Sequence, residues 1–170
     1  GIIKDHSGFI DVSREVGKGS VFTLYLPLID QPSADKEAPK DAAVVGGTER
    51  ILVVDDELGQ RFIGCKSLKR LGYEVAEAES GHQALKQFEK AKEAGAESPY
   101  DLAVLDMIME DDLDGLKTYQ AIQDLFPRQK VIICSGHAED DRAKAARALG
   151  AGWLAKPYGV NGLSVAVRKR

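Results

Sequence analysis

Four short apolar runs, each closed by a polar or charged residue, constrain the fold of this chain more than any other feature. Ile51-Leu52-Val53-Val54 runs into Asp55-Asp56, and Leu102-Ala103-Val104-Leu105 runs into Asp106. Val131-Ile132-Ile133-Cys134 ends in Ser135, and Trp153-Leu154-Ala155 ends in Lys156-Pro157. Unbroken apolar runs of this length suit strands buried on both faces, the condition met in a parallel sheet covered by helices. Residues at helical spacing lie between them. Leu58, Phe62, Cys65, Leu68 and Leu71 recur before Gly72, and Ala84, Leu85, Phe88 and Ala91 follow a capping box of Ser80 and Gln83. Leu116, Tyr119, Ile122 and Phe126 lead to Pro127, residues 138–149 are rich in alanine and charge, and Val160, Leu163 and Val167 mark a last helix. The run Glu74-Val75-Ala76-Glu77-Ala78 is less apolar and reads as an edge strand.

Strand and helix in alternation predict an α/β fold: a flavodoxin-like, doubly wound, five-stranded parallel sheet of order 2-1-3-4-5. In such a sheet the carboxyl ends of the strands share one edge. That edge gathers Asp55, Asp56 and Asp106 with the hydroxyl of Ser135 and the ammonium of Lys156. Clustered carboxylates repel unless a cation joins them. A set of oxygen donors suits Mg²⁺, which takes a few carboxylates and keeps positions for water or phosphate oxygens. An aspartate so placed can attack phosphorus if positive groups offset charge on the phosphoryl oxygens.

This ordered set resembles the receiver domain of two-component signalling. The acidic pair follows the first strand, the phosphoacceptor aspartate the third, Ser or Thr the fourth and Lys-Pro the fifth, and all are filled across residues 49–170. The resemblance implies that Asp106 accepts the phosphoryl group, with Lys156 and Ser135 assisting. It implies that Asp56 and Asp106 bind Mg²⁺ directly, Asp55 through water, and Ile108 through its backbone carbonyl. The Lys156-Pro157 bond resembles the family's cis peptide. Trp153 stands at the aromatic switch position, with a packed core aromatic as the plainer reading, and His137 stands where the family tunes dephosphorylation. One departure is local: the loop Met107-Ile108-Met109-Glu110-Asp111-Asp112-Leu113-Asp114-Gly115 carries Glu110 where Pro is usual, and one extra residue. Three consecutive acids there are expected to disfavour a nearby phosphate, an effect that solvent screening weakens.

Ahead of this region, Phe9-Ile10-Asp11-Val12 and Val21-Phe22-Thr23-Leu24-Tyr25-Leu26 alternate around Gly17-Lys18-Gly19-Ser20, a β-hairpin signal. The segment also resembles the last glycine box and closing strands of a histidine-kinase ATP-binding domain, through His6, Gly8, Ile10, Val12, Ser13, Gly17, Gly19, Ser20, Phe22, Leu26 and Pro27. The other ATP-contacting boxes are absent, so ATP binding is not expected. The expected organisation is a kinase-domain remnant over 1–30, a linker over 31–48 rich in Pro and charge, and a receiver over 49–170. The chain then reads as the C-terminal part of a hybrid histidine kinase, beginning at Gly1 as a fragment. The implied partners are a histidine-kinase dimerisation and phosphoacceptor domain or a histidine phosphotransfer protein.

Composition narrows the alternatives. A formal net charge of −4 does not support nucleic-acid binding, and 29% charged residues suit a soluble globular protein. The resemblance to a receiver implies a cytoplasmic location without direct membrane contact. Cys65 and Cys134 read as small core residues. Three rival functions are weighed. An aspartyl-phosphate phosphatase of the haloacid-dehalogenase kind needs a second Asp two residues after the nucleophile, where Ile108 stands. A flavin-type phosphate loop would be repelled by Asp55-Asp56-Glu57. A signalling-inactive receiver serving as an interaction module stays open.

Overall fold

The computed structural model describes residue 3 and residues 7–28, 46–110, 112–136 and 141–170. His6, Asp111, His137, the first residues of the expected fourth helix and residues 31–45 of the expected linker lie outside them. The described residues fall into two units, one within Gly1–Lys40 and one within Asp41–Arg170.

The first unit is an antiparallel hairpin of β1 (Phe9–Glu15) and β2 (Gly19–Tyr25). Every residue of both strands is exposed, and the Phe9 and Tyr25 rings stack at 4.4 Å across the ladder. The second unit runs β3 (Arg50–Val54), α1 (Leu58–Arg70), β4 (Glu74–Ala78), α2 (Gly81–Glu93), β5 (Leu102–Asp106), α3 (Gly115–Leu125), β6 (Val131–Ser135), α4 (Asp141–Ala148), β7 (Gly152–Ala155) and α5 (Val160–Arg168). All five strands pair in parallel in the order β4-β3-β5-β6-β7, the expected 2-1-3-4-5 winding. The edge strand expected at Glu74–Ala78 is β4.

Side chains alternate across a strand, so each central strand feeds two cores. On one face Leu52, Val54, Ala103, Leu105, Val131 and Ile133 meet Phe88 of α2, Tyr119 and Ile122 of α3, and Ala143 and Ala146 of α4. On the other, Ile51, Val53, Leu102, Val104, Ile132 and Cys134 meet Cys65 and Leu68 of α1 and Leu163 and Val167 of α5. β5 and β6 are buried throughout. Both cysteines are buried and free.

The helix ends carry the chemistry expected of them, with one shift. Ser80 Oγ accepts from Gln83 N at 3.2 Å, but Gln83 Oε1 accepts from Glu79 N rather than from Ser80 N. Asp114 caps α3 by accepting from Lys117 N at 2.9 Å. The face of α1 differs from the apolar spacing. Leu58 and Phe62 are 70% and 60% exposed, and the buried stripe is Arg61, Gly64, Cys65 and Leu68. Gly64 faces the sheet, where a Cβ would stand 3.6 Å from Val53 Cγ1, an ordinary packing distance.

The chain enters this unit at the edge opposite the carboxyl ends of the strands. Gly47 N donates to Leu71 O at 3.1 Å, and Arg168 of α5 bonds Glu49 at 3.1 Å and also donates to the Gly46 carbonyl. At the other edge, Gly115 N donates to Met107 O at 3.1 Å, which draws the start of α3 against the end of β5. A Cβ on Gly115 would overlap the Asp106 carbonyl oxygen and stand 2.8 Å from Met107 Cα. Gly115→Ala should therefore cost roughly 1–3 kcal/mol, the range for forcing a group into a packed site. Urea unfolding checks this, and an unchanged midpoint would show that α3 yields freely.

Candidate functional site: an acidic strand edge closed by a lysine

The sheet ladder continues one step past three strands and so orients the groups that follow. Asp55 N donates to Ala78 O at 3.3 Å, Met107 N to Cys134 O at 2.8 Å and Lys156 N to Ser135 O at 2.8 Å. Asp55, Asp56 and Asp106 each offer an oxygen within 4.8 Å of the others. Asp55 is 3% exposed and Asp106 8%.

Each carboxylate has a distinct partner. Lys156 Nζ lies 2.9 Å from Asp55 Oδ2 and 2.9 Å from Asp106 Oδ1, bridging two strands. The other oxygen of Asp55 accepts from Glu57 N at 3.0 Å. Asp56 Oδ2 accepts from Glu110 N at 2.7 Å, tying the acidic pair to the loop after β5. The Lys156-Pro157 peptide is cis. Ser135 is buried at the end of β6, one strand from Asp106. Exposed Ile108 lines an open cleft of about 590 Å³ with Asp56, Glu57, Glu79, Asp106 and Glu110. Trp153 is half-buried on β7, with the Arg147 guanidinium of α4 4.6 Å from its ring centre.

The structure thus places Asp55, Asp56, Asp106 and Lys156 in one cluster. Ser135 and Ile108 border it, and Trp153 lies on the neighbouring strand. Of the loop acids, Glu110 and Asp112 fall among the described residues and part company. Glu110 lines the cleft, but Asp112 faces His82 at 3.7 Å, and its carbonyl accepts from Lys117 Nζ. His82, exposed on α2, is thus a partner of that acid. Two further acids of the cleft, Glu57 and Glu79, carry no distinctive sequence signal beyond standing next to a strand end.

Burial lifts the Asp106 carboxyl above its ordinary value; the Lys156 ammonium and the Met107 amide pull it down without cancelling the lift. Burial works against the charged form of Lys156, but hydrogen bonds and attraction to Asp106 and Asp55 outweigh it and hold the ammonium charged. Cys134, beside Asp106 in the sheet, is pushed up to about 12, chiefly by burial, and is no nucleophile.

A carboxyl whose pKa is raised in the folded state contributes stability below its unfolded pKa and loses it as pH rises through the folded value. Asp106 therefore opposes folding at neutral pH. Asp106→Asn should melt roughly 2–5 °C higher at pH 7 without added metal. The gap should close towards pH 4 as the wild-type carboxyl takes up its proton. Melting curves across that range check it, and a lower-melting variant at pH 7 would reverse the sign.

Comparison with known proteins agrees with this geometry. The model of the response regulator receiver domain matches residues 51–168. Sensor kinase CckA of Brucella abortus (strain 2308) is 36% identical over 178 aligned residues, covering 99% of this chain but only 18% of that kinase. Sporulation initiation phosphotransferase F of Bacillus subtilis (strain 168) is 32% identical over 122 residues, 71% of this chain and 92% of that protein. The crystal structure of a response regulator receiver domain protein from Clostridium thermocellum has a TM-score of 0.62 and 31% identity, covering 71% of this chain and 91% of that one. No helix among the described residues is long and apolar enough to cross a membrane. With its five-stranded winding and its acidic edge, the chain belongs to the response regulator receiver family of two-component systems.

Proposed function

We propose that this chain takes a phosphoryl group from a phosphohistidine onto Asp106 and changes conformation in response. The observation that carries the reading is the Lys156 ammonium held 2.9 Å from Asp106 beside two further acids. In the step, an Asp106 carboxylate oxygen forms a bond to phosphorus as the P–N bond to the donor imidazole breaks, and the imidazole leaves with the electron pair. Lys156 offsets charge on the phosphoryl oxygens, and the Ser135 hydroxyl donates to one of them.

The donor set fits a hard divalent cation: it is all oxygen, partly buried and acidic beyond what one ammonium offsets. Asp56, Asp106 and the Ile108 carbonyl would hold Mg²⁺ directly, with Asp55 acting through water. The ion would supply positive charge to the phosphoryl oxygens. Without it, this chain's part is to hold Asp106 aimed and flanked by Lys156.

We assign residues 1–30 to the end of a kinase ATP-binding domain, 31–48 to a linker and 49–170 to the receiver, within a cytoplasmic hybrid histidine kinase. The similarity to CckA along nearly the whole chain, hairpin included, supports this context. The expected partners are a phosphoacceptor-histidine domain of such a kinase or a phosphotransfer protein. Leu58 and Phe62, exposed in the first turns after Asp56, suit contact with an apolar face of the donor.

Acetyl phosphate with Mg²⁺ should add one phosphoryl mass to the intact chain, and Asp106→Asn should take up none. Equal labelling of that variant would remove Asp106 as acceptor. Trp153 is the only tryptophan, so its emission reports one position. Beryllofluoride with Mg²⁺, a mimic of the phosphoryl group, should change that emission, and Ser135→Ala should blunt the change while metal still binds. An unmoved spectrum would make Trp153 a static core residue.

A further inference from the structure

Arg61 is the one arginine on the buried stripe of α1, among Gly64, Cys65 and Leu68, and it is 8% exposed. A guanidinium is seldom buried unless its donors are used. Here Nη1 donates to the Asp55 carbonyl at 2.6 Å and lies 3.5 Å from the Asp56 carbonyl. Nε faces Glu77 Oε2 of the edge strand at 3.6 Å. The carbonyls it reaches are those of the two acids that open the site.

We propose that Arg61 is a positioning residue for this site, clamping the backbone of Asp55 and Asp56 so that their carboxylates converge with Asp106 before any cation arrives. The inference rests on the reading of those acids as the metal and phosphoryl site. The need for a clamp follows from the path of the chain. Asp55 N makes the last ladder bond of β3, at 3.3 Å, and the backbone then turns out of the sheet into α1. Asp56 sits on that turn with its side chain committed to Glu110 N. Three carboxylates within 4.8 Å push this turn outward. A guanidinium anchored in the first turns of α1 counters that push from behind, one nitrogen reaching both carbonyls, and itself occupies none of the Asp55 or Asp56 carboxylate oxygens. The same guanidinium places a positive charge behind the acids. Lysine would keep the charge but lose the planar head that reaches the carbonyls and Glu77 together. Glu77, 62% exposed, is the weaker anchor.

Supports of this kind typically change metal affinity 10–100-fold when removed. Arg61→Met keeps the apolar stem and removes the clamp. Calorimetric titration of the full chain with Mg²⁺ should show its Kd raised about tenfold or more. Arg61→Lys should fall between, and Glu77→Gln should stay close to wild type. Val167→Ala, a core change on α5 away from the acids, should lower Tm and leave the Kd alone; this separates clamping from general stability. A second readout needs no metal: exchange of the Glu57 amide, which bonds Asp55 Oδ1, should speed up in Arg61→Met and not in Val167→Ala. Should Arg61→Met fail to fold, Arg61→Lys carries both tests. Arg61 variants with wild-type Kd and wild-type exchange would overturn the clamp. A wild-type chain that takes no Mg²⁺ would instead overturn the reading of the site, and the metal-free exchange would still decide the clamp.

Discussion

The bridge from Lys156 to Asp55 and Asp106 is the interaction on which the working end of the sheet depends. It joins residues that follow β3, β5 and β7, so one side chain pins three strand ends to one another. Like charges about 4 Å apart repel by roughly 4 kcal/mol at the effective dielectric of a protein surface. Three carboxylates held this close would splay without a counter-charge. One ammonium offsets one of the three and leaves two negative charges, which matches a divalent cation. Arg61 adds a charge on the inner side but shares it with Glu77. The cluster thus holds together through Lys156 while keeping a net negative charge.

The helices around this edge are not anchored equally. α1 and α5 bury Leu68, Leu163 and Val167, and α2 and α3 bury Phe88, Tyr119 and Ile122. α4 contributes only Ala143 and Ala146 to the core, and its Arg147 lies over Trp153 of β7 instead. Small side chains give little apolar burial, so α4 is the helix whose displacement costs least. The least anchored helix therefore touches the Trp153 ring, one strand away from Ser135.

The strand ends were legible in the sequence because burial on both faces leaves unbroken apolar runs, and a run that stops at Asp, Ser or Lys marks where the sheet opens to solvent. The edge position of β4 was legible for the converse reason: Glu74 and Glu77 interrupt it. The face of α1 was not. Apolar spacing favoured Leu58 and Phe62, but the face that packs on the sheet is Arg61, Gly64, Cys65 and Leu68, and those two lie outside. An arginine at helical spacing reads as solvated, and nothing in the sequence reveals that carbonyls wait for it. In the loop after Asp106 a run of acids says nothing of direction. Asp112 turns to His82 while the backbone of Glu110 serves Asp56.

The entry of the chain at Gly46 and Gly47 has a mechanical consequence. Arg168 and the Leu71 carbonyl hold that entry at the amino end of β3, and the carboxylates open at its other end. A strand of five residues spans roughly 17 Å. Gly46 is thus moored at one end of β3, and the carboxylates lie at the other. A pull applied at Gly46 would therefore load β3 lengthwise, along the strand whose far end leads into Asp55.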